Sequence, residues 1–139
     1  MLTYLCAMRH PETGAESPGL VLLPQLTDFD EPGKNLQVAF IRLAIAATMS
    51  VGVISVMETW YVQELSLESI DEWRGRLDEH PNRREGLAMF VEHMRFGTRC
   101  WRAEITRETE DGPPTLGEWN EVKDANMKGR FIHLLPQVQ

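Results

Sequence analysis

Apolar positions along the chain fall into distinct periodicities, and each predicts a different element. Residues 35–48 repeat at helical spacing, with Leu36, Phe40, Leu43, Ala44 and Ala47 along one face and Val38, Ile41 and Ile45 along the other. Asn35 is the expected N-cap, and apolar stripes on both sides predict a helix sandwiched between neighbours. Residues 51–63 carry Val51, Val53, Ile54, Val56, Thr59, Trp60, Tyr61 and Val62, a β-branched and aromatic run that predicts a long central strand, apolar on both faces. Residues 87–94 and 99–108 alternate instead, and Gly97 between them predicts a hairpin.

The register of that hairpin follows from polarity. A three-residue loop with Gly97 in the left-handed conformation aligns Trp101, Ala103 and Ile105 with Met89, Val91 and His93, whereas a two-residue loop at Phe96 and Gly97 aligns them with Glu92. The first separates apolar from polar side chains better and is the expected register. It leaves Phe90, Glu92 and Met94 on the reverse face with Cys100, Arg102 and Glu104. A single helix does not necessarily cover that reverse face, so Phe90, Met94, Cys100 and Arg102 form the candidate surface for a homodimer. The expected core is Phe40, Leu43, Val53, Val56, Trp60, Met89, Val91, Trp101 and Ile105.

Ser69-Ile70-Asp71-Glu72 has the form of a capping box, and Ile70, Trp73 and Leu77 predict a short second helix that stops before Pro81. Residues 115–122 fit one more strand and 131–135 a last apolar piece. Residues 1–33 hold four prolines and three glycines, with only 1–8 and 20–23 able to pack, so they read as an extended arm. The expected fold is a single α+β domain over 34–139, with one or two helices packed on a mainly antiparallel sheet and an extended N-terminal arm over 1–33.

The chain has 139 residues, 42% of them hydrophobic, enough for one core. A net charge of −7 argues against broad binding to nucleic acid or to anionic membrane, because counterion release needs a basic surface; only a local patch of Arg95, Arg99 and Arg102 keeps a nucleic-acid reading open. The longest apolar stretch, 43–57, is interrupted by Thr48, Ser50, Gly52 and Ser55 and is too short and polar to span a bilayer. The apolar start at 1–8 lacks the pattern of a basic leader and a small-residue cleavage site, so export is not expected. Cys6 and Cys100 lie far apart, outside any CxxC or Cys/His cluster, as expected of reduced thiols in a cytoplasmic protein.

Chemistry is sparse. Glu58 sits in an otherwise apolar strand, where a carboxylate pairs with a cation or titrates abnormally, and Arg83 or Arg84 is its expected partner. The turn from His80 through Pro81, Asn82, Arg83 and Arg84 to Glu85 joins an imidazole, two guanidinium groups and a carboxylate, a set suited to an anionic ligand. Glu58, Trp60, His80, Arg83, Arg84 and Glu85 are therefore the candidate ligand or ion-pair cluster. His80, His93, Glu58, Glu92 and Glu104 are metal-ligand types, yet no two histidines stand at i, i+4 and adjacent Glu92 and His93 face opposite ways on a strand, so no metal is expected. Glu121-Val122-Lys123 matches half of a nuclease motif, a three-residue coincidence. The strings GxSxG, GxGxxG, HExxH and the phosphate loop are absent, and no cofactor is implied.

Glu58-Thr59-Trp60, the 80–85 turn, Leu116-Gly117-Glu118-Trp119 and residues 129–136 together resemble a group of small uncharacterised bacterial proteins over residues 35–136. The resemblance implies a shared fold and intracellular setting and carries no catalytic residue. The reading is a non-catalytic binding or protein-interaction module that self-associates. The alternative is a small hydrolase or ligand-binding enzyme using Glu58 with the His80–Glu85 turn.

Overall fold

The computed structural model describes residues 1–26, 28, 30–63, 69, 72–73, 76–122 and 134–136. Its elements are β1 (Leu2–Arg9), β2 (Glu16–Leu23), α1 (Glu31–Thr48), β3 (Ser50–Tyr61), a 3₁₀ turn (Leu77–Glu79), β4 (Arg84–His93), β5 (Gly97–Thr106), β6 (Thr115–Leu116) and β7 (Asn120–Val122). Among the described residues this is one antiparallel sheet of seven strands and one α-helix, an α+β arrangement that is mostly sheet. The strand order is β2-β1-β3-β4-β5-β6, with β7 also paired to β5.

The extended arm is corrected: residues 2–23 form two strands of the sheet, and β1 lies inside it between β2 and β3. Prolines and glycines misled the count because each sits where its backbone does no harm. Pro11 lies in the β1–β2 turn, Pro18 on an edge strand beside a register irregularity, Pro24 just after β2 and Pro32 in the first helical turn. Leu5, fully buried, pairs with Val53 across β1 and β3 and makes the N-terminal hairpin part of the core.

Helix α1 starts before the expected Asn35 cap. The Asp30 carboxylate accepts the Gly33 N–H at 2.7 Å, and Pro32 fits the first turn, where its absent N–H has no helical partner. Gln37 fastens the helix to the chain leaving β2: its Oε1 accepts the Leu26 N–H at 2.9 Å and its Nε2 donates to the Pro24 carbonyl at 3.0 Å. Only one of the two apolar stripes is buried. Val38, Ile41 and Ile45 pack on Leu5, Leu23 and Val53, while Leu36 and Leu43 are 60% and 70% exposed. The helix is therefore covered on one side and is not sandwiched.

The hairpin has the expected register. Residues 94–96 form the loop, Gly97 takes φ of 79°, Met89 faces Trp101, Leu87 faces Ala103 and Phe90 faces Cys100. Residues 115–122 give two short strands in place of one. Most of the expected second helix lies outside the described residues, as does most of 131–135, although Leu134 and Leu135 are buried in the helix-side core. There the buried Glu92 carboxylate accepts the Leu134 N–H at 3.0 Å.

The helix orientation has a direct test in thermal or denaturant unfolding. Ile41→Ala empties a fully buried site and is expected to cost about 2–5 kcal/mol. Leu43→Ala, on the exposed stripe, is expected to stay within about 0.5 kcal/mol. Equal losses would mean that both stripes are covered.

Candidate functional site

Alternation along β3 sends Val53, Ser55 and Met57 toward α1 and Ile54, Val56, Glu58 and Trp60 to the opposite face. Strand pairing extends that opposite face sideways. Leu22, Tyr4, Ile54, Val91 and Arg99 form one row, and Leu2, Val56, Met89, Trp101 and Glu121 form the next. The result is an apolar band running across β2, β1, β3, β4 and β5. Tyr4, Ile54, Val56, Met89, Val91 and Trp101 are half-buried by their neighbours, and Leu2, Leu20 and Leu22 are 49%, 66% and 53% exposed. The helix contacts β1 and β3 from the other side; the 3₁₀ turn at Leu77–Glu79 reaches β3, and Ala103 and Ile105, farther along the band's own face, are buried.

Charged groups ring the band. At one end Arg107 grips Glu85 through two hydrogen bonds of 3.0 and 3.1 Å, and Arg83 lies over Trp60 at 5.3 Å. Trp60 stands opposite Glu85. Along the β5 edge Arg99 holds Glu121 through two bonds of 2.9 Å and lies 5.0 Å from the Trp101 ring. At the far end Glu16 draws Arg95 at 3.1 Å, with Arg9 and the His93 Nε2 each at 3.7 Å. His93 in turn lies 4.8 Å from Phe96, which is largely exposed. Five arginines thus face four glutamates, Glu58 included, around a band that is locally near neutral, whereas the whole chain carries −7.

The candidate cluster is split by this geometry. Glu58 is exposed and makes no ion pair with Arg83 or Arg84; the cation that feels its field is Arg107. Arg84 points to the helix side and meets Glu104 at 3.4 Å, because residues adjacent on β4 must face opposite ways. His80 is committed to its own turn: Nδ1 accepts the Asn82 N–H at 3.0 Å, the carbonyl accepts Arg83 Nη1 at 3.2 Å, and the ring meets Trp73 edge-on at 4.7 Å. Trp60, Arg83 and Glu85 do share the open face. Arg107, at the exit of β5, is the partner that sequence reasoning missed; its place diagonal to Glu85, two residues past the facing Ile105, needed the hairpin register carried to its end.

The candidate interface is corrected as well. Phe90, Met94, Cys100 and Arg102 lie on the helix side: Cys100 is buried, and Met94 packs against the core. Of the expected core, Val53 and Ile105 are buried and Phe40 packs against the core, whereas Leu43 is exposed and Val56, Met89, Val91, Trp101 and the exposed Trp60 lie on the open face. The metal-ligand set is likewise divided, with Glu92 and Glu104 on the helix side and His93 beside Glu16. Among the described residues no group of three or more His, Cys, Asp or Glu side chains converges.

No family model, curated protein or solved structure matches the chain. No described helix is long and apolar enough to cross a membrane.

Hydrogen bonding from Arg107 holds the Glu85 carboxyl below the usual carboxylate range. A group with a depressed folded-state pKa contributes stability above its unfolded value of about 4, and that contribution is lost as pH falls through the folded value. Melting temperatures of the wild type and Glu85→Gln are therefore expected to differ most near neutral pH and to converge on acidification below the carboxylate range. A constant gap across that window would show that the pair adds nothing to folding.

Proposed function

We propose that this chain is a non-catalytic interaction module that self-associates as a homodimer through the open face of its sheet. The observation that carries this reading is the apolar band crossing five strands, with Leu2, Leu20 and Leu22 exposed and α1 on the other side of the sheet. Apolar surface left in water costs about 25 cal/mol per Å², and contiguous patches of this kind mark sites of association. An apolar centre within a ring of ion pairs has the anatomy of an interface, since the rim groups are already satisfied when the centre is dehydrated.

A second copy fits this face better than a charged partner does. The rim is close to neutral, so it selects neither a cationic nor an anionic surface, and two copies meet there without local like-charge repulsion. A two-fold axis lets one patch cover itself, which is the commonest solution among oligomers. Both cysteines are free, and burial pushes each thiol pKa up, a state that suits a reducing cytoplasm. The hydrolase reading has less support, because Glu85 is closed against Arg107 and Arg84 lies on the other side of the sheet.

Sedimentation or light scattering of the wild type is expected to give a dimer. Leu20→Glu with Leu22→Glu, on an exposed edge strand, is expected to give monomers with an unchanged circular dichroism spectrum. A monomeric wild type, or a double variant that remains dimeric, would overturn the proposal.

A further inference from the structure

The helix-side face of the sheet runs past the buried core to a region where three residues stack in layers. Tyr61 on β3 and Gly86 on β4 are neighbours in the sheet, with Arg84 opposite Tyr61 and Glu104 opposite Gly86. A Cβ on Gly86 would come within 2.8 Å of Tyr61 Cε1 and 3.0 Å of the Ala103 carbonyl oxygen. Gly86 is therefore what lets the Tyr61 ring lie against bare backbone. On that ring rests the Arg102 guanidinium, its central carbon 3.7 Å from the ring centroid, a stacking distance for a planar cation on a π-face.

Stacking uses the faces of a guanidinium and leaves its in-plane N–H donors available. Among the described residues no carboxylate or carbonyl oxygen takes a hydrogen bond from Arg102, although it is half-buried. It borders a cavity of about 460 Å³ lined also by Tyr61, Arg84, Glu104, Glu118 and Asn120, within the range of about 300–1,000 Å³ for small-molecule sites. Arg84 and Glu104 answer one another at 3.4 Å. Glu121, which also lines the space, is held by Arg99 at 2.9 Å. That leaves one cation, Arg102, and one carboxylate, Glu118, whose side chain has no partner among the described residues. Asn120 stands directly opposite Arg102, and Glu118 lies two residues before it, so both charges border the same cavity.

We infer that this cavity binds a free amino acid: the ligand carboxylate is forked by Arg102, its ammonium is accepted by Glu118, and the Asn120 amide serves the polar remainder. A dianionic phosphate is a poorer match, since Glu104 and Glu118 line the same space and the chain carries −7. A zwitterion satisfies both unpaired groups and brings no net charge. The site lies on the opposite side of the sheet from the apolar band and does not depend on the self-association reading.

Each standard amino acid is tested singly by thermal shift and calorimetry, beside propionate, butylamine and inorganic phosphate. At least one amino acid is expected to raise the melting temperature of the wild type, as any ligand of the folded state must, and to do so more than propionate or butylamine. Arg102→Met, which keeps the stem and removes the fork, is expected to weaken that binding by about tenfold or more, the value of a charge-assisted pair. Glu118→Gln, an exposed change that spares the fold, is expected to weaken the amino acid and leave propionate unaltered. The inference is overturned if no amino acid binds, if phosphate or propionate binds as well as the best amino acid, or if Glu118→Gln leaves amino-acid affinity intact.

Discussion

Packing of the Val38, Ile41 and Ile45 stripe against Leu5 and Val53 decides what every other surface of this protein is for. A helix of 18 residues is about 27 Å long and is the one α-helix among the described residues, so it can shield one side of the sheet and not the other. Gln37 holds that helix to the end of β2 through two hydrogen bonds, and β1, drawn in between β2 and β3, supplies the residue at the centre of the contact. Once this side is interior, the alternation of the strands leaves Ile54, Val56, Met89, Val91 and Trp101 facing away from α1.

Periodicity made the partition of side chains legible but not its sign. Trp101 was grouped with Met89 and Val91, and Phe90 with Cys100, which is the observed pairing, because polarity separates cleanly in only one hairpin register. Which group is covered is only partly legible: Val53 and Ile105 are buried as expected, whereas Val56, Trp60, Met89, Val91 and Trp101 lie on the open face. Both faces of β3 are apolar and so are both stripes of α1, leaving no contrast in hydrophobicity to choose between them. The choice is made by a long-range contact, that of the helix with β1, and β1 was hidden in a segment whose prolines and glycines suggested an arm. Composition counts such residues; the fold depends on where they stand, at a turn, an edge, a strand end and a helix start.

The same limit governs the charged residues. A carboxylate in an apolar strand rightly drew attention to Glu58 and its surroundings, and Trp60, Arg83 and Glu85 do share a face. Its cation could not be picked from the sequence, because Arg107 arrives only through the β4–β5 pairing carried to its last residues. Strand alternation alone gives Arg102 only a face. What separates it from other arginines is a glycine on one neighbouring strand and a tyrosine on the next, Gly86 and Tyr61, a combination that has meaning only when the strands are side by side.

Charge placement ties the two faces together. A chain carrying −7 repels its own copies, with a reach of about 8–10 Å at ordinary ionic strength, so two copies can approach closely only where the field is locally cancelled. Around the apolar band that cancellation is internal: Arg107 with Glu85, Arg99 with Glu121, and Arg95 and Arg9 with Glu16 are each paired within one chain. Rim pairs of this kind add little attraction of their own, since exposed ion pairs contribute at most about 1 kcal/mol. In the proposed dimer their effect is permissive, removing repulsion so that burial of Leu20, Leu22, Val91 and their neighbours dominates. On the helix side the opposite holds, because Arg102 stacks on Tyr61 in place of an ion pair and keeps its donors unspent. One face of the sheet is thus neutral and apolar, and the far end of the other carries separated charges of both signs. The first arrangement suits the proposed self-association, and the second suits the proposed amino-acid site.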